Sequence, residues 1–389
     1  MELKGNWNYP TNIRFGAGRI SELPATCKEL GMSNPLLVTD QMLSRHYIVS
    51  NARDSCIQAG LGCEVYSRVR GNPTGENVSQ GVVAFKAGKH DGVIAFGGGS
   101  ALDAGKAIAF MANQDRPLWD FEDVGDNWTH AKTDGLVPVI AVPTTSGTGS
   151  EVGRASVITD EESHVKKIIF HPRMLPVIAL SDPELTVGLP ASITSTVGID
   201  ALSHNMEAYF STSFHPMVRG IAVEGMGMVK EWLIPAFEDG TNIDARAHMM
   251  AASQAGGAAF QRGLGAMHAL AHSLGSAYNM HHGLLIAILM PYVLEANRPA
   301  IEKDAAYLAQ CLGLDNGLDG VLEWVLELRK AVEIPHTLAE INLNDDEAER
   351  IGAMAVVDPS AGGNPIQFTA AQYSQIFKAA THGESVNIL

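Results

Sequence analysis

The sequence predicts an α/β N-terminal domain, with a parallel sheet covered on both faces, followed by an all-α C-terminal domain. Two observations carry this. To about Ser181, short β-branched runs alternate with stretches of helical pattern, which is the signature of βαβ units. From about Pro190, Ala, Met, Leu and Gly dominate and apolar residues recur at intervals of three and four, which reads as helices. The change falls near Gly188-Leu189-Pro190, giving domains of residues 1–188 and 189–389.

Taken in order, Leu36–Thr39 reads as a strand followed by a helical stretch. Cys63–Tyr66 leads into a helix over Asn77–Lys89, and Gly92–Phe96 into one over Ala101–Met111. Val137–Val142 is the next strand, and Ser156–Thr159 and Val177–Leu180 are further strand-like runs. Strands of four to six apolar residues between helices of ten or more suit a sheet buried on both sides. Ile199–Tyr209 and Gly265–Ala277 read as helices within the second domain. No repeat with a period of 20–50 residues is present, which disfavours a solenoid.

Composition narrows the function. Among 389 residues, 27 Lys and Arg stand against 43 Asp and Glu, a net charge of -16. Such a chain repels phosphate backbones and anionic surfaces, so neither nucleic acid nor membrane is an expected partner. The N-terminus MELKGNWNYP has no apolar core of a secretory signal. The apolar stretch Gly283–Leu294 is too short to span a bilayer and contains Pro291. Four cysteines without CxxC spacing are too sparse for a disulfide framework. A soluble protein of the reducing cytoplasm is expected.

Two loops point to a phosphate-bearing ligand. Gly97-Gly98-Gly99-Ser100 follows a strand and opens a helix, where glycines admit close backbone approach and the first N–H groups attract an anion. It is not the GxGxxG fingerprint, and an ordinary tight turn is the alternative; Asp103 and Lys106 in GGGSxxDxxK tilt the reading toward function. Pro143–Glu151, after the next strand, is rich in hydroxyls that can donate to phosphate and ribose, against the alternative of a solvated loop. Open α/β sheets bind ligands at the carboxyl ends of their strands. Asp40 ends its strand, where a carboxylate accepts from a ribose 2′-OH and repels a 2′-phosphate, although such an Asp also serves as a helix N-cap.

The second domain carries a different chemistry. Asp200 and His204 are four apart, as are His268 and His272, so each pair shares a helix face. His281-His282-Gly283 follows at a helix end. A carboxylate with several imidazoles suits a divalent transition metal rather than Ca²⁺ or Mg²⁺. Core histidines with satisfied hydrogen bonds are the alternative, and metal binding requires the helices to converge.

Over nearly its full length the chain resembles the iron-containing, group III, alcohol dehydrogenases. The matching residues are Gly97–Ser100 with Asp103 and Lys106, the Thr144–Glu151 loop, and Asp182-Pro183. Gly198-x-Asp200-Ala-Leu-x-His204-x-x-Glu207 and Gly265-x-x-His268-x-x-Ala271-His272-x-x-Gly275 complete the pattern. The resemblance implies the dehydroquinate synthase-like architecture, a Rossmann-like domain and a helical domain with the active-site cleft between them. It implies Asp200, His204, His268 and His282 as metal ligands. It assigns NAD to Asp40, Asn72, Gly98, Gly99, Ser100, Asp103, Thr144, Thr145, Thr148 and Lys166. His272 matches a histidine near the substrate that is not a ligand, a candidate catalytic residue for proton relay, since imidazole ordinarily titrates near neutrality. The family usually has Pro before the last ligand where this chain has His281; His282 is kept because it directly precedes Gly283. In the ribose-side loop, Gly71-Asn72-Pro73 stands where the family often has Pro-x-Pro.

The implied activity is metal-dependent hydride transfer between NAD and a small primary alcohol, diol or hydroxy acid, with Fe²⁺ or Zn²⁺ polarising the substrate oxygen. A homo-oligomer, a dimer or larger, is expected. Arg173 and Arg262 are candidates to attract a substrate carboxylate. Alternatives are a zinc-dependent glycerol dehydrogenase-like enzyme, dehydroquinate synthase, a metal-dependent hydrolase and a non-catalytic binder. The hydrolase leaves Gly97–Ser100 and the Thr144–Ser150 loop unexplained.

Overall fold

The computed structural model describes residues 11–163 and 165–386; the polar N-terminal decapeptide read above lies outside them. Contacts divide the described chain into two units, one from residues 11–145 and 149–188, the other from 146–148 with 189–386.

The first unit holds a six-stranded sheet, all of it parallel. Its strands are β1 (Asn12–Phe15), β2 (Leu36–Asp40), β3 (Glu64–Val69), β4 (Val93–Gly97), β5 (Val139–Pro143) and β8 (Ile178–Ser181), ordered β1-β8-β5-β4-β2-β3. Central β4 and β5 are buried along their whole length, whereas β1 and β3 at the edges are only partly covered. Side chains alternate between two cores, as a pleated strand requires. Leu36, Val38, Val93, Ala95, Val139 and Ala141 face one; Leu37, Ile94, Phe96, Ile140 and Val142 face the other. Helices α3 (Gly75–Ala87) and α4 (Gly99–Met111) cover the first face, and α1 (Leu23–Glu29) and α2 (Tyr47–Gln58) the second. A separate antiparallel hairpin is made by β6 (Ala155–Asp160) and β7 (Val165–Phe170). Strands β1 and β7 have no counterpart in the sequence reading.

Asp103 and Lys106 have structural work here. Lys106, 1% exposed, donates Nζ to the carbonyls of Ser150, Gly153 and Ala155, and lies 3.1 Å from Asp103 Oδ1. Asp103 Oδ1 accepts from the Ser150 hydroxyl and Oδ2 from the Val157 N–H at 2.9 Å. The pair thus ties α4 to the segment entering β6. Lys106→Met should destabilise the protein by about 3 kcal/mol, because it removes the cation beside the Asp103 carboxylate and the donor shared by three carbonyls. Denaturant unfolding measures this, and a loss within experimental error of zero would show that the tie carries no stability.

The second unit is helical: α5 (Ala191–Phe210), α6 (Pro216–Glu238), α7 (Ile243–Ala259), α8 (Ala266–Tyr278), α9 (His282–Leu312), α10 (Leu318–Ala331), α11 (Ala348–Val356) and α12 (Ala370–His382). Helix α5 is buried on every side from Gly198 to Phe210, which marks it as the central helix. Gly198 permits this, since a Cβ there would sit 2.2 Å from Leu233 of α6. Helix α9 is long and apolar enough to cross a membrane by length and composition, yet 72% of its apolar window is buried within the protein. Its apolar surface serves the core. His281 and His282 stand at the start of α9 rather than at the close of the preceding helix.

Candidate metal and dinucleotide site

Parallel neighbours β5, β4 and β2 bring three of the sequence-predicted segments to one end of the sheet. Asp40 closes β2, Gly97–Ser100 follows β4, and Thr144-Thr145 follows β5. Gly97 has φ 146°, and a Cβ on it would come within 2.7 Å of the Ala101 Cβ, so the turn requires glycine. Helix α4 begins at Gly99 with no side-chain cap, so the first N–H groups offer an anion-binding end. The Ser100 hydroxyl donates to the Gly71 carbonyl at 2.5 Å, which ties the Gly71–Pro73 loop to that helix start. A Cβ on Gly98 would be 3.3 Å from Thr145.

The remaining dinucleotide candidates fall into different roles. Asp40 Oδ1 accepts from the N–H groups of Met42 and Leu43 at 2.9 and 2.8 Å, so it caps the next turn, while Oδ2 lies on the Gly97 side. Asp103 accepts one hydrogen bond on each oxygen from within the protein, as described above, so it anchors the loop with acceptor capacity to spare. Asn72 and Thr148 are half-buried, as is Lys166, which pairs with Thr159 across the β6–β7 hairpin. Thr144 is buried and its N–H donates to the Gly97 carbonyl at 3.0 Å.

In the helical unit α5 presents Asp200, His204 and Glu207 at spacings of four and three, and α8 presents His268 and His272. Asp200, His204 and His268 converge, with ligand atoms within 4.8 Å of one another. His268 Nε2 lies 3.0 Å from His204 Nε2 and 4.0 Å from Asp200 Oδ1. His282 adjoins this group with Nε2 3.6 Å from Asp200 Oδ1, and its side chain, 24% exposed, is the open side of the cluster. His281 does something else: its Nδ1 accepts the Leu284 N–H and caps α9.

These residues fit a divalent cation. Asp200 Oδ1 is buried and accepts no hydrogen bond, which is costly unless a cation meets it. Asp200, Glu207 and Asp358 place three carboxylates with side chains only 5–6% exposed around the histidines. Burial pushes the His204 imidazole down to about 4, leaving it neutral with a lone pair to give. Burial also lowers His268, but the Glu207 carboxylate outweighs it and the net direction is upward. The donor set of one carboxylate and three imidazoles suits iron or zinc.

His272 Nδ1 pairs with Asp358 Oδ2 at 3.1 Å, and its ring stacks on His282 with centroids 5.2 Å apart. Burial pushes the Asp358 carboxyl up, yet His272 and the Ser360 N–H bring it below the usual carboxylate range. Sequence reasoning missed Asp358, which no local motif marks, and gave Glu207 no task although it stands three residues after His204. Arg262 donates to the carbonyls of Ser213, Ala208 and Tyr209, closing the end of α5, and Arg173 donates to the Thr133 carbonyl. Arg262 is thus held by backbone carbonyls through two of its nitrogens and Arg173 through one.

A glycine-turned parallel sheet in one unit and a buried carboxylate–imidazole cluster in the other are the parts of a metal-dependent dehydrogenase. Residues 10–183 match the model of the iron-containing alcohol dehydrogenases, and residues 194–381 that of the C-terminal region of the same family. The chain is 35% identical to 4-hydroxybutyrate dehydrogenase of Cupriavidus necator, over 95% of this chain and 98% of that one. It superposes on a 1,3-propanediol oxidoreductase crystal structure with a TM-score of 0.91 at 32% identity, covering 97% and 100% of the two chains. Sulfoacetaldehyde reductase from Bifidobacterium kashiwanohense, solved in complex with NAD+, gives a TM-score of 0.88 at 26% identity, with 97% and 99% covered. The chain belongs to the iron-containing alcohol dehydrogenase family, and its activity is the oxidoreduction of alcohols and aldehydes.

Proposed function

We propose that the protein transfers hydride between NAD and a small primary alcohol, diol or hydroxy acid, with Fe²⁺, or Zn²⁺ in its place, held by Asp200, His204, His268 and His282. The observation that carries this reading is the buried convergence of Asp200, His204 and His268 with His282 beside them. When bound, the ion supplies Lewis-acid polarisation of the substrate oxygen. His272, held by Asp358, takes the hydroxyl proton in alcohol oxidation and returns one in aldehyde reduction. Residues 1–188 act as the dinucleotide-binding domain and 189–389 as the metal and substrate domain. The phosphates lie at the start of α4, with Gly98, Gly99, Ser100, Asp103, Thr144, Thr145 and Thr148 around them and Asn72 and Lys166 on the ribose side.

Relatives named for 4-hydroxybutyrate and for 1,3-propanediol set the range of substrates. If a hydroxy acid is the substrate, Arg173, which spends one guanidinium nitrogen on the Thr133 carbonyl, remains a candidate for its carboxylate. A cytoplasmic location agrees with four free cysteines, three of them buried. Assembly as a homo-oligomer, a dimer or larger, is in keeping with the common habit of soluble enzymes. Metal analysis of protein purified without oxygen or chelator, with reduced-nicotinamide absorbance on a panel of alcohols, diols and hydroxy acids, tests the whole reading. Protein that retains no metal and reduces no NAD with any of them would refute it.

Cofactor choice gives a sharper test. Asp40→Asn keeps an oxygen to cap the turn but removes the charge facing a 2′-phosphate. The ratio of kcat/KM for NAD over NADP should fall by roughly tenfold, in line with about 1.4 kcal/mol of relieved repulsion. An unchanged ratio would mean that Asp40 does not face the ribose.

A further inference from the structure

We infer that Glu207 is a positioning residue of the metal cluster, one carboxylate that both fixes the ring state of His268 and fastens the start of the helix that carries it. The inference rests on the proposed metal reading. Glu207 Oε2 meets His268 Nδ1 at 2.6 Å and accepts the Gly265 N–H at 2.9 Å, while Oε1 accepts the Met267 N–H at 2.7 Å. An ionised carboxylate is acceptor-only, so Nδ1 must carry a hydrogen, and the neutral ring then turns the Nε2 lone pair toward Asp200 and His204. Carboxylate-held imidazoles of this kind are oriented and made more basic toward a metal.

The same group settles the N-terminus of α8. The Ala266 N–H goes to Asn364 Oδ1 at 3.1 Å, and Glu207 takes its neighbours on either side, so three N–H groups at this helix start are satisfied without a local cap. A Cβ on Gly265 would come within 3.0 Å of Glu207 Oε1, so glycine there is what lets the carboxylate in. Because Glu207 sits on α5 with Asp200 and His204, it locks α8 to the helix that supplies the other two members of the cluster. His268 therefore keeps its direction even before a cation arrives.

Full-length protein with ¹⁵N-labelled histidine, stripped of metal, reads the first half of this. At alkaline pH, wild type should show His268 in the Nδ1–H form, with the resonance assigned through His268→Asn. Glu207→Gln, whose amide cannot accept all three donors, should lose that preference. Its affinity for Fe²⁺ or Co²⁺, measured without oxygen, should fall roughly 10–100-fold. Glu207→Asp should recover part of both effects, and it carries the same two measurements if Glu207→Gln fails to fold. Equal affinity and an unchanged ring form in both variants would overturn the inference. Wild type that binds neither metal would instead defeat the metal reading, while the ring-state measurement still decides what Glu207 does to His268.

Discussion

Replacing His268 by Ala should strip the protein of its metal and bring turnover to background while leaving dinucleotide binding measurable. His268 is 1% exposed and stands at the centre of the cluster, 3.0 Å from His204 Nε2 and 4.0 Å from Asp200 Oδ1. Its removal deletes a donor that no neighbouring side chain replaces. Loss of partners that merely orient a ligand costs about 10–100-fold in metal affinity, and loss of the ligand itself should exceed that. The fold should survive, because Glu207 still accepts the Gly265 and Met267 N–H groups and holds the start of α8. His282→Ala should follow His268→Ala. His281→Ala should keep the metal, since that ring caps α9 through Leu284. Metal content and NAD titration on the three variants decide the assignment; metal retained in His282→Ala and lost in His281→Ala would reverse it.

What could be read from the sequence was whatever the local pattern had to express. Strands β4 and β5 are buried on both faces, so their apolar runs were visible and their glycine and hydroxyl loops could be placed at strand ends. Strand β1, Asn-Ile-Arg-Phe, is a half-covered edge, and β7 carries Lys166 and Lys167 in a small hairpin, so neither has an apolar run to announce it. Helix α5 starts at Ala191, well before Ile199, and its first turns, Ala-Ser-Ile-Thr-Ser-Thr-Val, hold β-branched and hydroxyl residues with weak helical preference, so local pattern did not announce them. The i,i+4 pairs were legible as helix faces. Their convergence was not, since it depends on contacts between residues 64 apart, as for His204 and His268. Asp103 and Lys106 were legible as a motif because a motif reports spacing, while their partners at Ser150, Ala155 and Val157 belong to the tertiary fold.

His272→Ala should lower kcat by about 10²–10⁴-fold and leave metal content near that of wild type. The ring lies one turn after His268 on the same helix, so proximity alone would make it a fifth ligand. Its hydrogen bonding argues for another part. Nδ1 faces Asp358 Oδ2 at 3.1 Å, and the ring stacks on His282 rather than joining the group formed by Asp200, His204 and His268. The Asp358 carboxyl is held below its usual range by His272 and the Ser360 N–H despite its burial, so it stays ionised and fixes the Nδ1–H form. That leaves Nε2 as the atom that accepts a proton in alcohol oxidation. Asp358→Asn should act in the same direction by a smaller factor, through the ring's orientation. A packing histidine would instead lower the melting temperature and leave turnover alone. Metal content, melting temperature and the pH–rate profile separate these roles, and turnover unchanged at every pH would remove His272 from the reaction.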